Sequence, residues 1–502
     1  MILFRQVSQP TSWKTRFTIM KNLLVALSLL ATACLAAPPN IVWIIADDMS
    51  PDTGAYGLAQ VKTPHLDQLA AVGRRYTRAY STAPVCSSSR SAFILGCYQT
   101  TTGLHPHDTE NPQPLPAPYK PLPTILREAG WFVTNAAAPG TVRSGKKITK
   151  GKTHYNFAHD AKQLFDGDDW RKRKPGQPFF AQFQITEPHR PFPIPESFDE
   201  AALAAIKLPE NYPDHPLVRR DWYAYQRSVE VVDQRVGAIL DQLRAEGVLD
   251  NTIVMFFADH GRPMPWGKQW LSVEGLQVPL IVRGPNITAN QVEERLVSLI
   301  DLAPSALKIA GLPVPEWMQG KAILSGDFPA REQLFAARDR CGDAMDRIRA
   351  VITPDRWFVR HFSPGQSRLN WSSYKEDQYP GMPLLRELQR EDKLAAFPAQ
   401  WLAPTRPETE LFDLKADLQG LHAIRDAKAT ADFIQRLDTW IIESKDQGAS
   451  GDPSTEPPLA DIQKAKRADY QRNWKKRLGK GEPTDAEKLA WWMKNYHLDA
   501  LP

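Results

Sequence analysis

The hydrophobic positions of this chain fall into several short, continuous apolar runs. Four such runs cover residues 40–46, 178–185, 252–258 and 278–282. They do not alternate between apolar and polar positions, which is typical of strands buried on both faces, as in parallel sheets. Segments with helical spacing of apolar residues separate them, at 63–74, 122–129 and 223–247.

Strands that alternate with helices predict an α/β fold, in which a mostly parallel central sheet is sandwiched by helices. We expect residues 38–330 to form this large domain. Beyond it the pattern changes, and the strand-like segment Trp357–Phe362 belongs to a smaller C-terminal α+β subdomain over residues 331–445. Residues 446–502 begin with a stretch rich in Gly, Ser and Pro, which predicts a linker followed by a helical tail.

The N-terminus has the layout of an export signal. Met20–Asn22 supplies a basic start, Leu23–Leu30 is apolar, and Ala31–Ala37 is rich in small residues. This predicts a signal peptide within residues 1–37, with Met20 as the favoured true start, and a periplasmic or secreted protein without a stable membrane span. Cys34 loosely matches a lipoprotein cleavage box, so a lipid anchor is one alternative, and a buried N-terminal helix is another.

Composition excludes two classes of protein. The chain has 62 Lys and Arg against 57 Asp and Glu, and no long basic block, so we expect no nucleic-acid partner. Four cysteines in 502 residues are too few for a disulfide framework. Fifteen tryptophans add a slight preference for sugar ligands, although most Trp side chains in proteins are core residues.

Acidic residues directly follow two of the apolar runs. Asp47 and Asp48 end the first run, and Asp259 and His260 end the third. Ligands of such sheets bind beyond the carboxyl ends of the strands, where several carboxylates can converge on one hard cation. The pattern predicts a metal site for Ca²⁺, with Mg²⁺ or Mn²⁺ as alternatives. Carboxylates at strand ends also serve as helix caps or solvated turns, and His260 fits Ca²⁺ less well than the acids.

The run Cys86-Ser87-Ser88-Ser89-Arg90 resembles the maturation motif of the type I sulfatases, in the alkaline phosphatase superfamily. The resemblance implies that a maturation enzyme oxidises Cys86 to formylglycine, whose hydrated aldehyde attacks sulfate esters. Arg90 would hold the formylglycine and help to neutralise sulfate. The usual spelling is Cys-x-Pro-Ser-Arg, and Ser88 stands here in place of the proline.

Further segments follow in the order of that family. Gly151-Lys152-Thr153-His154 is similar to its Gly-Lys-Trp-His signature, and the segment after it resembles heparan N-sulfatase-like and bacterial polysaccharide sulfatases. The resemblance implies that Lys152 binds sulfate and that His154 hydrogen-bonds the hydrated aldehyde. The alternative is that residues 143–152 form only a solvated basic loop.

The remaining candidates also come from the resemblance. His189, in a segment like the His-x-Pro-Phe loop of the family, is the candidate general acid, because a histidine pKa lies near neutrality. Lys268 would contact sulfate and the leaving oxygen. His105 and His107 are candidate substrate contacts. A further hypothesis is that Arg338, Asp339 and Arg340 extend from the C-terminal subdomain into the same candidate site.

Together these segments imply an alkaline-phosphatase-like fold and an exported sulfuric ester hydrolase that acts on a sulfated polysaccharide or glycan. Two alternatives remain. One is a phosphoesterase or phosphonate monoester hydrolase of the same superfamily, and the other is a non-catalytic, glycan-binding pseudosulfatase, which Ser88 keeps open. The sequence does not specify the sugar, the ring position, O- or N-sulfate, or exo or endo action.

Overall fold

A computed structural model describes residues 38–143, 146–324 and 328–498. The predicted signal peptide, with Met20 and Cys34, lies outside the described residues. The strands are β1 Asn40–Ala46, β2 Arg74–Tyr76, β3 Ala79–Tyr80, β4 Phe132–Ala137, β5 Val142–Arg143, β6 Lys146–Lys147, β7 Phe179–Ile185, β8 Thr252–Ala258, β9 Leu280–Arg283, β10 Gln291–Glu293, β11 Val297–Ser298, β12 Leu334–Arg338, β13 Ile348–Ile352, β14 Arg356–His361 and β15 Thr409–Asp413.

The helices lie between and after these strands. They are α1 Pro64–Ala71, α2 Cys86–Leu95, α3 Leu122–Glu128, α4 Ala161–Leu164, α5 Glu200–Ala205, α6 Pro216–Ala245, α7 Val273–Leu276, α8 Leu302–Ile309, α9 Ser373–Gln378, α10 Gly381–Arg390, α11 Ala396–Ala399, α12 Ala427–Glu443, α13 Leu459–Leu478 and α14 Asp485–Asn495. Short 3₁₀ turns occupy Gly54–Tyr56, Trp170–Lys172, Leu249–Asn251, Leu299–Asp301 and Gln447–Ser450. None of the helices in the described ranges has the length and apolar character needed to cross a bilayer.

The central sheet has seven strands in the order β10-β2-β9-β8-β1-β7-β4. Strands β8, β1, β7 and β4 are mutually parallel, whereas β9 is antiparallel to both of its neighbours. The predicted mostly parallel α/β sheet is therefore confirmed, with β9, the fourth predicted run, as its antiparallel member. All residues of β1, β7 and β8 are buried, which agrees with their unbroken apolar character.

Two helices differ from their predicted bounds. Helix α1 ends at Ala71 because Arg74 already pairs in strand β2. A side chain at Gly73 would meet the carbonyl oxygen of Val282 at 2.5 Å, so the chain must leave the helix there to join the sheet. Helix α6 begins at Pro216, earlier than predicted, because His215 caps it and proline suits the first helical turn.

Trp43 joins the sheet to helix α2. Its ring makes edge-to-face contacts with Phe93 of α2, Phe180 of β7 and Phe257 of β8, at centroid distances of 6.0, 5.1 and 5.5 Å. This arrangement is the favoured geometry for buried aromatic pairs. The contacts hold α2 against the sheet, so its N-terminus lies beside the carboxyl ends of β1 and β8.

The C-terminal part forms a second sheet, with β12, β13, β14 and β15 paired antiparallel in that order. Helix α12 packs on this sheet, in part through the stacked rings of Phe358 and Phe433. The predicted smaller α+β subdomain is therefore observed, and its predicted strand at Trp357–Phe362 corresponds to Arg356–His361. Helices α13 and α14 follow, and their side chains Trp474 and Trp492 belong to the hydrophobic core around the central sheet.

Candidate active site

Parallel pairing brings the two acidic strand ends together. Ala46 of β1 is level with Ala258 of β8, so Asp47 and Asp48 emerge next to Asp259 and His260. The Asp48 backbone N–H donates to Asp259 Oδ1 at 2.9 Å, and Asp48 has a left-handed φ of 62°. A left-handed aspartate is uncommon, and this hydrogen bond helps to hold it. The predicted carboxylates therefore share one buried site.

Cys86 is the first residue of helix α2 and lies against this site. Its Sγ is 3.3 Å from His260 Nε2 and 3.5 Å from both Asp48 Oδ1 and Lys268 Nζ. Burial raises the pKa of a thiol, but the nearby positive charges of Lys152, Lys268 and His260 outweigh burial and hold the pKa of Cys86 well below its ordinary value. A group at position 86 therefore meets both the carboxylates and the lysines.

The serines around Cys86 act as a scaffold for the site. Ser89 Oγ donates to the Asp259 carbonyl at 2.5 Å, and Ser88 Oγ donates to the His105 carbonyl at 2.9 Å. Ser87 Oγ accepts a hydrogen bond from the Asp108 backbone N–H at 3.0 Å. Ser88 lies in the first helical turn, where a proline would also fit. The replacement of proline by Ser88 therefore leaves the helix intact and adds a tether to the loop that carries His105.

Arg90 lies one turn further along helix α2. Its Nε donates to Asp259 Oδ2 at 2.8 Å, its Nη2 to Asp47 Oδ1 at 2.9 Å and its Nη1 to Gln184 Oε1 at 2.8 Å. All three nitrogens thus have partners within the protein. In this structure Arg90 positions two carboxylates, which is compatible with a structural part in the site as well as with the predicted neutralisation of sulfate.

Lys152 approaches the carboxylates from the opposite side. Its Nζ donates to both oxygens of Asp47, at 2.9 and 2.8 Å, and its side chain is 27% exposed. The neighbouring Gly151 packs against Asn135 of β4, where a Cβ would lie only 2.4 Å from the amide oxygen. Glycine at this position therefore lets the loop come close enough to place Lys152 in the site, whereas Lys146, Lys147 and Lys150 of the same segment are exposed.

Lys268 and His189 form a contact pair above Asp48. Lys268 Nζ donates to Asp48 Oδ2 at 2.7 Å and lies 3.0 Å from His189 Nε2. His189 Nδ1 lies 2.5 Å from the Arg190 carbonyl oxygen, so Nδ1 carries a proton. Burial and Lys268 lower the pKa of His189, but the nearby carboxylates, Asp48 foremost, raise it above its ordinary value. Both Lys268 Nζ and His189 Nε2 therefore face the site as candidate proton carriers.

His154 belongs to a group that the sequence interpretation described only in part. Its Nε2 lies 2.7 Å from Asp108 Oδ1, and His107 Nε2 lies 3.3 Å from the same oxygen. Burial lowers the pKa of His154, but hydrogen bonds with Asp108 and with the Cys86 thiol together outweigh burial and raise it to about 8. Asp108 was not among the predicted residues, although it directly follows the candidate His107 in the sequence.

His105 has a different environment from the other candidates. Its ring is buried, and its Nε2 lies 3.0 Å from the Gly451 carbonyl oxygen. This contact joins the His105 loop to the segment after α12 and does not bring the ring to the carboxylates. The structure thus brings His107 into contact with the site through Asp108, whereas His105 contributes its backbone carbonyl to Ser88.

Arg338, Asp339 and Arg340 do not line the site. Arg338 pairs with Asp346 at 3.2 Å, and Asp339 pairs with Arg349 at 3.1 Å. The guanidinium of Arg340 is held by Asp452 and Glu456 at 2.5 Å each, and it also donates to the His107 carbonyl. The charges of all three residues are paired within the C-terminal part, which explains why their side chains do not extend into the site.

Tyr374, like Asp108, was not predicted from the sequence. It lies on helix α9, and its ring centroid is 4.9 Å from Lys268 Nζ and 6.0 Å from the His189 ring. Its hydroxyl is buried and has no hydrogen-bond partner among the described residues. No motif surrounds it, so only the packing of α9 against the site indicates its importance.

The donor set is suited to a divalent cation. One ligand atom from each of Asp48, Cys86, Asp259 and His260 lies within 4.8 Å of the others. His260 Nδ1 is 2.9 Å from the Gly261 carbonyl oxygen, so Nε2 is the nitrogen that faces this group and can bind a metal when deprotonated. Carboxylate oxygens and an imidazole nitrogen match Ca²⁺, Mg²⁺ or Mn²⁺ in different degrees, and the set does not select among them.

Comparison with known proteins agrees with this geometry. A model of the family described as Sulfatase matches residues 39–312. An ulvan-active sulfatase of Formosa agariphila is 32% identical over 76% of this chain and 70% of its own length. The human N-sulphoglucosamine sulphohydrolase is 29% identical over 58% of this chain and 64% of its own length. A solved 2-O GAG sulfatase shares the fold, with a TM-score of 0.59 and 20% identity over 82% of this chain and 94% of that one.

The family match covers more than half of the chain, and the chain therefore belongs to the sulfatase family. Its enzyme class is that of the sulfuric ester hydrolases. The predicted family is thus confirmed.

Proposed function

We propose that the protein is an exported sulfatase that removes sulfate from a sulfated polysaccharide or smaller glycan. The observation that carries this proposal is the convergence of Cys86, three carboxylates and two lysines at the carboxyl ends of β1 and β8. The substrate class is supported by relatives named for ulvan and N-sulphoglucosamine. Export rests on the signal-like N-terminus alone.

The nucleophile in this proposal derives from Cys86. A maturation enzyme would convert its side chain to formylglycine, and the hydrated aldehyde supplies a hydroxyl group that attacks sulfur. Covalent catalysis of this kind divides one difficult step into two easier ones. The first turn of α2 supports the proposal, because it directs position 86 at His260, Asp48 and Lys268.

A divalent cation would be held by Asp47, Asp48, Asp259 and His260, with Ca²⁺ as the first candidate. When bound, it supplies positive charge that favours ionisation of a nearby hydroxyl group. Asp47 is already contacted by Arg90 and Lys152 through its carboxylate. We therefore infer that Asp48 and Asp259 would contribute most to cation binding.

The other side chains would bind the sulfuryl group and move protons. Lys152 and Lys268 offset negative charge on the sulfuryl oxygens, with Arg90 in support, and such preorganised charge is often the largest contribution to catalysis. Lys268 Nζ would protonate the leaving oxygen, with His189 as its neighbour and alternative donor. His154, oriented by Asp108, would accept the proton of the second hydroxyl group on the sulfated intermediate, so that the aldehyde re-forms as the bond from carbon to the sulfate oxygen breaks and sulfate leaves.

Mass spectrometry of the tryptic fragment 79–90, from protein made in its native host, tests this proposal. We expect position 86 to have lost the thiol and gained an aldehyde. Active protein with an unmodified Cys86 would contradict the formylglycine mechanism. Unmodified, inactive protein that still binds glycan would support a pseudosulfatase instead.

Activity assays separate the remaining alternatives. We expect hydrolysis of an aryl sulfate to exceed that of the matched aryl phosphate and phosphonate monoester, and a panel of sulfated glycans would then define the sugar. Preference for the phosphorus esters would favour the phosphoesterase alternative. Treatment with a chelator should lower the activity, and return of Ca²⁺, Mg²⁺ or Mn²⁺ separately should restore it and identify the metal.

A further inference from the structure

A second cavity, which we call the tryptophan cavity, lies apart from the candidate active site. Its volume is about 250 Å³, and it lies between the loop before α7 and the C-terminal sheet. Four tryptophans contribute to its walls: Trp266, Trp270, Trp357 and Trp401. None of the predicted catalytic or metal-binding side chains lines it. The open side of the active site is elsewhere, at Lys152, His154 and His189, which are each about 30% exposed.

The tryptophans form a connected aromatic wall. The rings of Trp266 and Trp401 stack at 3.9 Å, and Trp270 meets Trp401 edge-on at 5.5 Å. Trp266 and Trp401 differ in exposure, since Trp266 is fully buried and Trp401 is half-buried. An aromatic wall that is partly open suits the apolar face of a small ring.

Polar atoms without partners line the same cavity. Asn211 Oδ1 and His361 Nδ1 make no hydrogen bond within the described part of the chain, although both residues are at most 1% exposed. His361 Nε2 lies 2.9 Å from Glu410 Oε2, so Nε2 carries the proton and Nδ1 is an acceptor. The unpartnered Nε of Arg262 adds a donor. Buried polar atoms normally have partners, so these three atoms remain available to hydrogen-bond a ligand or ordered water in the cavity.

The charges that line the tryptophan cavity balance. Arg262 and Arg368 are offset by Glu274 and Glu410, and Arg368 contacts both oxygens of Glu410 at 2.5 and 2.8 Å. His361 adds no charge, because its burial lowers its pKa despite the contact with Glu410. A charged ligand would have to compete with one of these ion pairs for its partner. The cavity therefore favours a neutral ligand with several hydroxyl groups.

We propose that the tryptophan cavity is a non-catalytic binding site for one neutral sugar ring. The ring would lie against Trp401 and donate hydroxyl hydrogens to Asn211 Oδ1 and His361 Nδ1. The volume of the tryptophan cavity is below the roughly 300–1,000 Å³ of pockets for drug-sized ligands, and this limits the ligand to about one ring. The site is independent of sulfate hydrolysis, and failure of the proposed function would leave this inference standing.

The loop between β8 and α7 connects the cavity with the active site. Lys268 points to Asp48, whereas Trp266 and Trp270, two residues to either side, face the tryptophan cavity. A sugar in the cavity would therefore contact the segment that holds Lys268. Binding of a desulfated unit of the glycan here would keep the chain near the active site.

Titration of the purified full-length protein with neutral monosaccharides tests this proposal. The probes are glucose, galactose, mannose, N-acetylglucosamine and N-acetylgalactosamine, each beside its 6-sulfated form, and the readouts are tryptophan fluorescence and calorimetry. We expect saturable binding of at least one neutral sugar, with weaker binding of its sulfated form. Asn211→Ala should weaken binding about fivefold, the usual scale for one lost hydrogen bond.

A second cavity variant and two control variants complete the experiment. Gln419→Ala changes an exposed side chain on the cavity rim and should also weaken binding, which covers the case that Asn211→Ala does not fold. Gln435→Ala, exposed on α12 away from the cavity, and Lys152→Ala in the active site should leave sugar binding unchanged. Aryl sulfate turnover should be the same in Asn211→Ala and the wild type. Absence of saturable binding to any neutral sugar, or binding that depends on Lys152 and not on Asn211 or Gln419, would overturn the proposal.

Discussion

Two networks of charged side chains in this protein have the same balance of formal charge but differ in their access to solvent. The active-site network sets three aspartates against three cationic side chains, which are Asp47, Asp48 and Asp259 against Arg90, Lys152 and Lys268. The network of the C-terminal sheet does the same, with Asp339, Asp346 and Asp446 against Arg338, Arg349 and Arg406. Formal charge therefore does not distinguish them.

The two networks differ in how far their side chains are exposed to solvent. No side chain of the C-terminal network is more than 5% exposed. In the active site, Lys152 is 27% exposed and the adjoining His154 is 32% exposed. The C-terminal network, which is closed to solvent, holds β12 and β13 to the segment after α12. The active-site network is open, because Lys152 and His154 face solvent. Position and access, more than charge, separate a structural network from a catalytic one.

The largest effect on this comparison should come from the nucleophile. Cys86→Ala removes the group that the active-site charges surround, and we expect sulfate hydrolysis to fall by on the order of a thousandfold or more. Cys97→Ala, at a buried free cysteine outside the site, is the matched control and should retain activity. Steady-state assays with an aryl sulfate measure the difference, and near-normal activity of Cys86→Ala would refute the assignment.

The closed network should affect stability and leave chemistry unchanged. Asp446→Ala leaves the buried guanidinium of Arg349 with Asp339 as its acidic partner and with two backbone carbonyls, and breaking such a buried pair costs about 3 kcal/mol. Asp438→Ala removes the exposed partner of Arg360 and should cost less than about 1 kcal/mol. Thermal unfolding gives the shift in Tm, and kcat per folded molecule should stay constant. A large loss of kcat in Asp446→Ala would mean that the two networks are coupled.

The pKa of His154, beside the active-site network, should determine how activity depends on pH. His154 has a pKa raised to about 8, so it holds a proton below that pH and accepts one above it. Part of this rise in pKa comes from the Cys86 thiol, which the proposed mature enzyme lacks, so we expect kcat to rise between the ordinary histidine value near 6.5 and about pH 8, and Asp108→Asn to move this rise towards 6.5. The matched change Asp241→Asn, at an exposed helix position, should not shift the profile. The raised pKa also adds stability below pH 6.5, which is lost as the pH rises through 8.

The smallest effect should come from Tyr374, which touches the open network without taking part in its ion pairs. Tyr374→Phe keeps the ring over Lys268 and removes only the unpartnered hydroxyl. Because the hydroxyl has no partner within the described part of the protein, we expect it to hydrogen-bond only to bound substrate, and its loss should lower kcat/KM for the glycan about 3- to 10-fold, while Tm stays equal or rises slightly. Tyr470→Phe, in the core formed by the helical tail, is the control for folding. Unchanged kcat/KM would show that the hydroxyl does not contact the substrate.

The sequence by itself predicted the central sheet and the positions of its acidic strand ends. Unbroken apolar runs identified β1, β7 and β8 because strands buried on both faces have no polar alternation. The rule that ligands bind beyond the strand ends then pointed to Asp48 and Asp259. The resemblance to the sulfatase family supplied Cys86, Lys152, His154, His189 and Lys268, and their roles remain predictions for the experiments above.

Only the tertiary structure decided which charged side chains meet. Asp108 reaches His154, and Tyr374 reaches Lys268, through loops and a helix far apart in the chain. The same packing directs Arg338 and Asp339 to partners within the C-terminal sheet, away from the site where the sequence hypothesis had put them. The reason is physical: periodicity and strand propensity depend on neighbouring residues, whereas the partner of a buried charge depends on every element packed around it.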